Sequence, residues 1–377
     1  VGLVLLPGLG CVPPVIPEGE MRPLLRDDIR NLEGYHSPQL DVSVRLNTNE
    51  SPLPPPTGFV GDWLEAVRTI PLHRYPDRTA RALRGALGEF LGQPEDRLFA
   101  ANGSNEVLQT IFLGFGGHGR RAVVFEPSYA LHPHIGRITG TEVVSCDRLP
   151  DFTLSPSVAC AAIAEHQPDI VVLCNPNNPT GLVEQRSTVE AVLEAVAPTT
   201  LVVVDEAYAE FADWSAIELV DEDAQLVVVR TYSKVWSMAA LRLGFCVGAS
   251  KIVADLESVA LPYRLSTPTQ LAGTAALRHE AEMASRVEMI VSERERVMAA
   301  LGEMEHVEPF PSGANFILFR LGDDAHAIWQ ALVDRGVLVR DFSSWPRLEG
   351  CLRVTIGTQE ENDAFLETLK RISREDT

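Results

Sequence analysis

Six short runs of β-branched and apolar residues, interspersed with helical patterns, constrain the fold of this chain more than any other feature. The runs are DRLFAA (96–101), RAVVFE (121–126), DIVVLC (169–174), TLVVVD (200–205), QLVVVR (225–230) and GFCVGA (244–249). Each is nearly all apolar rather than alternating, the pattern of strands covered on both faces. Helical patterns such as SNEVLQTIFLGF (104–115) and TVEAVLEAV (188–196) lie between them. This alternation predicts an α/β domain with a mostly parallel sheet flanked by helices. From about residue 265 the chain changes to long, charged helical stretches, then the strand-like NFILFR, GVLVR and CLRVTIG and a closing helix, ENDAFLETLKRI. We therefore expect an N-terminal extension and arm (1–34), a short contribution to a smaller domain and to the site (35–58), a large α/β domain (59–264) and a smaller α+β domain (265–377).

Composition excludes several classes of function. With 377 residues, 45% of them hydrophobic and 22% charged, the chain has material for two or three packed domains. A net charge of −20 repels phosphate backbones and anionic lipid surfaces, so neither nucleic acid nor membrane is an expected partner. No apolar stretch reaches the 18 or so residues of a membrane span. The opening VGLVLLPGLGCVPPVIP lacks a basic start and is broken by prolines, unlike a signal peptide. Residues 1–20, ahead of Met21, are expected to lie outside the fold. Six cysteines without a C-x-x-C pair read as reduced thiols in a cytoplasmic protein.

The chain has three lysines, Lys234, Lys251 and Lys370, and meets every other need for a positive side chain with arginine. Lys251 and Lys370 stand where solvated charges are ordinary. Lys234 follows the apolar strand QLVVVR by four residues, inside RTYSKVWSMAALRLG. Apolar neighbours there would desolvate an ammonium and lower its pKa, making it a nucleophile that arginine cannot replace. The alternative is a lysine snorkelling from a loop. A Schiff-base lysine points to pyridoxal phosphate, which needs an acid near its ring nitrogen, a donor to its ring oxygen and a phosphate cradle. Such groups belong beyond the carboxyl ends of strands.

Candidates stand at those ends. Asp205 closes TLVVVD and suits the ring nitrogen, or is a helix N-cap after a strand. Asn178, in NPNNPTG, suits the ring oxygen, or belongs to a plain turn. Tyr208, in DEAY, suits the same oxygen, or is a half-buried structural tyrosine. Gly103, Ser104 and Asn105 open a helix whose N–H groups face an anion, unless Ser104 is only a cap. Ser233 and Arg242 add a hydroxyl and a guanidinium near Lys234. Tyr129, in EPSYALH, could stack on the cofactor ring.

The ordered set of segments resembles the fold type I pyridoxal-phosphate aminotransferases, and within them the histidinol-phosphate aminotransferases. It comprises RLNTNESP (45–52), LHRYPD (72–77), AANGSNEVLQ (100–109), NPNNPTG (175–181), VVDEAY (203–208), TYSK with its downstream RLG (231–244), LPYRLSTPTQ (261–270) and CLRVTIGTQEEN (351–362). The resemblance implies that Lys234 holds the cofactor covalently, Asp205 pairs with its ring nitrogen, Asn178 and Tyr208 bond the ring oxygen and Tyr129 packs on the ring. It further implies that Gly103, Ser104, Asn105, Thr231, Ser233 and Arg242 hold the phosphate, with Tyr75 contributing across a homodimer. On the substrate side it implies Arg353, assisted by Arg340, for the donor's phosphate or the carboxylate of glutamate. Asn49 is also implied at the substrate, and Tyr35 near the imidazole. The implied activity exchanges an amino group between L-histidinol phosphate and 2-oxoglutarate in histidine biosynthesis, with ping-pong kinetics. An aromatic amino-acid aminotransferase and a threonine-phosphate decarboxylase are the alternatives on the same fold.

Val235-Trp236, Ala240 and Asn105 depart from the family pattern, and the bulkier pair is expected to reshape the pocket. Two motifs compete with this reading. Gly114-x-Gly116-x-x-Gly119 matches a dinucleotide fingerprint, but it follows a helix and precedes a strand, so it reads as a helix cap and turn. His132 and His134 hint at metal, but with no further ligands at suitable spacing they read as ordinary polar residues, and no metal is expected.

Overall fold

The computed structural model describes residues 23–32, 34 and 38–375. Contacts divide the chain into a unit of residues 1–34 and a unit of residues 35–377. In the first, the described feature is a single 3-10 turn at Asp27–Ile29. The extension at 1–20 and Tyr35 lie outside the described residues.

The second unit contains two sheets, whose strands in chain order are β1 (Val44–Leu46), β2 (Leu98–Ala101), β3 (Arg121–Glu126), β4 (Glu142–Asp147), β5 (Ile170–Cys174), β6 (Leu201–Asp205), β7 (Leu226–Thr231), β8 (Gly244–Gly248), β9 (Glu308–Pro309), β10 (Phe316–Arg320), β11 (Val337–Asp341) and β12 (Cys351–Thr355). The larger sheet has the order β2-β8-β7-β6-β5-β3-β4. Its pairings are parallel from β7 to β4, while β8 runs antiparallel to both β7 and β2. The six apolar runs of the sequence all lie in this sheet. Its seventh strand, β4, escapes sequence reading for a physical reason. It is an edge strand, and unlike β2 at the other edge it has only intermediate and exposed positions, so it lacks the continuous apolar run that marks strands covered on both faces.

Alternate residues along the central strands feed two cores, one on each face, as a period of two requires. Val171, Val202, Val204 and Val228 pack into one cluster, and Val172, Leu201, Val203 and Val227 into the other. Because β2 is antiparallel to β8, and β8 to β7, the chain leaves β2, β5, β6 and β7 on one edge and enters β8 on that same edge. The segments after β2, β5, β6 and β7, and the segment before β8, are therefore gathered there.

The smaller sheet has the order β1-β11-β12-β10-β9. Its first strand comes from far upstream and pairs parallel with β11, Val44 opposite Val337. This pairing carries residues 47–50 toward the edge where the large sheet ends its strands. Arg340 on β11 and Arg353 on β12 stand directly opposite each other. The glycine-rich segment after the helix Ser104–Phe115 turns into β3, with the N–H of Gly116 bonded to the carbonyl of Phe112. This is the cap-and-turn context, not the strand-then-helix context of a dinucleotide site.

Candidate active site

At the carboxyl edge of the large sheet lies a cavity of about 390 Å³. Lys234 lines it, three residues past the end of β7, and its Nζ donates to the Thr48 carbonyl at 3.1 Å. The amine also sits 5.5 Å from the ring centre of Tyr208. Burial is the main cause that draws its pKa down to about 7, with the cations Arg353 and Arg242 adding to the effect and Glu50 and Asp205 opposing it. A lysine that loses its proton near neutrality is a nucleophile and a proton carrier. The snorkelling alternative does not describe this side chain.

Asp205 ends β6 and is 2% exposed. Its Oδ1 accepts from the N–H of Ala207 at 3.2 Å, and its Oδ2 lies 2.9 Å from Nε2 of His132. Asn178 and Tyr208 come from the segments after β5 and β6. The Tyr208 hydroxyl accepts from Asn49 Nδ2 at 2.9 Å and Asn178 Nδ2 at 3.3 Å. Burial pushes the phenol well above its ordinary pKa, so it keeps its proton and has it to donate. Tyr129 lines the same cavity and its hydroxyl reaches Asn105 Oδ1 at 3.5 Å.

The same cavity is lined by a cradle of anion donors. The helix Ser104–Phe115 begins after Gly103, whose φ of +85° is in the region that only glycine adopts without strain. A Cβ on Gly103 would stand 2.6 Å from the Arg242 guanidinium, so its absence keeps that space open. The first N–H groups of the helix have no intrahelical acceptor. Arg242 Nη1 donates to Ser233 Oγ at 3.3 Å, and the Thr231 hydroxyl donates to the same oxygen at 3.0 Å. Gly244, which opens β8, passes so close to this loop that its Cβ would lie 2.2 Å from the Ser104 nitrogen. An amine, an acid at the far side, amide and phenol groups and an anion cradle in one cavity fit pyridoxal phosphate.

A smaller cavity adjoins the first through Tyr129 and Asn178, and Arg340 and Arg353 line it. Both arginines are 6% exposed. Arg353 donates to Asn178 Oδ1 at 2.5 Å and to the Asn47 carbonyl at 2.9 Å.

The sequence profile of the family described as aminotransferase class I and II matches residues 42–369. The chain belongs to the class I and II aminotransferases. It is 45% identical to the histidinol-phosphate aminotransferase of Corynebacterium efficiens over 93% of this chain and 95% of that one. It is 46% identical to that of Mycolicibacterium smegmatis over 91% of each. In three dimensions it is similar to the histidinol-phosphate aminotransferase of Sinorhizobium meliloti in complex with pyridoxal-5'-phosphate. The TM-score is 0.83, with 24% identity, covering 89% of this chain and 92% of that one, a likeness of fold.

The structure brings most of the expected site residues of this aminotransferase together and leaves some apart. Ser104, Asn105, Tyr129, Asn178, Asp205, Tyr208, Thr231, Ser233, Lys234 and Arg242 line one cavity, and Gly103 stands against Arg242. Asn49 is buried behind Tyr208, where its own oxygen accepts from Thr355. Tyr75 is on the surface, 80% exposed and stacked on Tyr263 with ring centres 4.5 Å apart. The expectation that Val235 and Trp236 reshape the pocket is corrected: both are buried in the core, Trp236 against Phe90 and Tyr232, and neither lines the cavity. Ala240 and Asn105 do line it.

The sequence reading missed three features of the site. His132, set aside there as an ordinary polar residue, is 1% exposed and joined to Asp205. The one signal for it was its place three residues after Tyr129, and the two rings do meet edge to face at 5.3 Å. Thr48 supplies the lysine's carbonyl partner, and Glu50 supplies a second carboxylate on the cavity wall. Both lie in the segment RLNTNESP, but nothing local singles out either one, because a backbone carbonyl is common to every residue and the sheet pairing that delivers Glu50 spans almost 300 positions.

Proposed function

We propose that this aminotransferase moves an amino group from L-histidinol phosphate to 2-oxoglutarate, giving imidazole acetol phosphate and glutamate, by a ping-pong reaction in histidine biosynthesis. The observation that carries this reading is the pair Arg340 and Arg353 on a cavity adjoining that of a lysine poised near neutrality. Two guanidiniums suit the dianionic phosphate of the donor in one half-reaction and a carboxylate of 2-oxoglutarate in the other. Relatives about 45% identical over nearly the whole chain carry the same name, which favours it over an aromatic aminotransferase or a threonine-phosphate decarboxylase.

Held in this cavity, pyridoxal phosphate would supply an electron sink for the charge left on the donor's α-carbon once the donor's amine has taken the lysine's place on it. The chain's own residues do the rest. Ser104, Asn105, Thr231, Ser233 and Arg242 bind the cofactor's phosphate. Asp205, steadied by His132, keeps a proton on the ring nitrogen. Tyr208 donates to the ring oxygen beside Asn178, and Tyr129 packs on the ring. Lys234, displaced by the donor's amine and with a pKa drawn down to about 7, takes the donor's α-proton on Nζ and returns it in the second half. Asn49 serves the donor pocket through Tyr208, and the family resemblance assigns Tyr35 a role at the imidazole.

The remaining parts of the proposal are a homodimer, in which the exposed Tyr75 completes the partner's phosphate site, a cytoplasmic location, and a large and a small domain meeting near residue 264. No helix among the described residues is long and apolar enough to cross a membrane.

A donor screen on purified protein tests the reading, with Lys234→Ala as the blank. Histidinol phosphate should be turned over with parallel-line kinetics against 2-oxoglutarate. Preference for phenylalanine, carbon dioxide release from threonine phosphate, or a sequential pattern would overturn it.

A further inference from the structure

Arg340 and Arg353 pose a physical problem that their role as anion ligands does not solve. They face each other across two antiparallel strands, both buried, and like charges so placed repel. A side chain that meets both is Phe342. It lies two residues beyond Arg340, and its N–H continues the ladder to Cys351, so it projects on the same side of the strand as Arg340. Its ring centre is 5.7 Å from the Arg340 guanidinium carbon and 5.4 Å from that of Arg353, both within cation–π range.

The ring is itself fixed. Phe342 is 6% exposed, and Trp345 packs edge-on against it at 5.1 Å. Phe316 supports Arg353 from elsewhere, its ring centre 4.9 Å away, and Trp345 lies 6.0 Å from Arg340. An aromatic face attracts a cation without cancelling its charge, as a carboxylate would. The ring therefore holds the guanidiniums side by side without taking up the charge that draws an incoming anion.

We propose that Phe342 is a positioning residue for anion binding, its ring holding the Arg340 and Arg353 guanidiniums convergent on the donor cavity beside Tyr129 and Asn178. This rests on the reading that those arginines bind the anionic end of the substrates.

The test compares Phe342→Leu and Phe342→Tyr in the cofactor-loaded enzyme. The readouts are KM and kcat for histidinol phosphate and 2-oxoglutarate, and the dissociation constant of inorganic phosphate by calorimetry. The leucine variant should raise both KM values and the phosphate dissociation constant by about 3- to 30-fold, the range of one or two lost cation–π contacts, with the loss falling on KM rather than kcat. The tyrosine variant, which keeps the π face, should restore all three to within about threefold. If Phe342→Leu does not fold, Phe342→Met takes its place, being of similar bulk without a ring. Unchanged binding in the ringless variant overturns the proposal, as does a loss confined to kcat or a tyrosine variant as weak as the leucine one. Failure of histidinol phosphate as a donor for the unaltered enzyme would sink the functional reading instead, while phosphate and 2-oxoglutarate still decide the role of Phe342.

Discussion

Nε2 of His132 lies 2.9 Å from Oδ2 of Asp205, with both side chains excluded from water. The two residues are 73 positions apart, one on the helix Leu131–Ile138 and the other at the end of β6. The histidine orients the carboxylate toward the cavity, while the Ala207 N–H holds its other oxygen. An acid that keeps a proton on a ring nitrogen must not rotate away from it, and this contact prevents rotation.

His132→Phe should therefore lower kcat by about 10- to 100-fold. A hydrogen bond to a charged group is worth roughly 1.5 to 3 kcal/mol, and about 1.4 kcal/mol is a decade of rate. In an Asp205→Ala background the same change should cost little more, because the two residues act as one unit. Additive losses in steady-state kinetics would contradict this.

The pKa of Lys234 predicts a pH profile for cofactor attachment to the apoprotein. A lowered lysine pKa means that the amine is protonated and inert below about pH 7 and free above it, so the attachment rate should rise through about pH 7 and then level off. Glu50→Gln removes an anion that raises the pKa, so the midpoint should fall. Arg353→Met removes a cation that lowers it, so the midpoint should rise. Stopped-flow absorbance measures it, and a midpoint near the ordinary lysine value of 10.5 would refute the account.

Gly244→Ala should damage cofactor binding without touching a cofactor-binding side chain. The added Cβ would meet the Ser104 nitrogen at 2.2 Å and the Gly103 carbonyl carbon at 2.3 Å, and backbone atoms cannot step aside as side chains do. Overpacking of this kind costs roughly 1 to 3 kcal/mol, so fluorescence titration should find the cofactor bound about 10- to 100-fold more weakly. Gly85→Ala is the control. It lies in the helix Arg81–Leu91 with nothing near its Cβ position, and the melting temperature should hold or rise slightly.

Arg353→Lys keeps the charge and loses the fork. Arg353 bonds Asn178 and the Asn47 carbonyl with different nitrogens, which a single ammonium cannot reproduce. KM for histidinol phosphate should rise about 10- to 100-fold, at roughly 1.5 to 3 kcal/mol for the lost charge-assisted bonds. A KM within twofold of the unaltered enzyme would show that charge alone suffices.

Where a site residue was legible in the sequence, it was legible because a local pattern marks it. Asp205, Asn178 and Lys234 come after apolar runs, and strands of an open α/β sheet present their ends to ligands. Ser104 and Asn105 open a helix after a strand and a glycine. His132 carried no such mark, since it lies on a helix and its worth comes from a carboxylate at the end of a strand 73 positions away. Val235 and Trp236 misled for the complementary reason: proximity to the lysine in sequence says nothing about which way a side chain turns, and theirs turn into the core.

The amino-acid order alone determined the central strands, the helix that begins the anion cradle and the candidate amine, because period, apolar runs and the scarcity of lysine are local properties that need no partner. The tertiary structure decided which groups meet. Thr48 reaches the lysine only because a three-residue strand crosses to pair with Val337 and its neighbours. Phe342 reaches two arginines only because β11 and β12 align in one register. Such contacts depend on the relative placement of segments far apart along the chain, which packing fixes and local pattern does not.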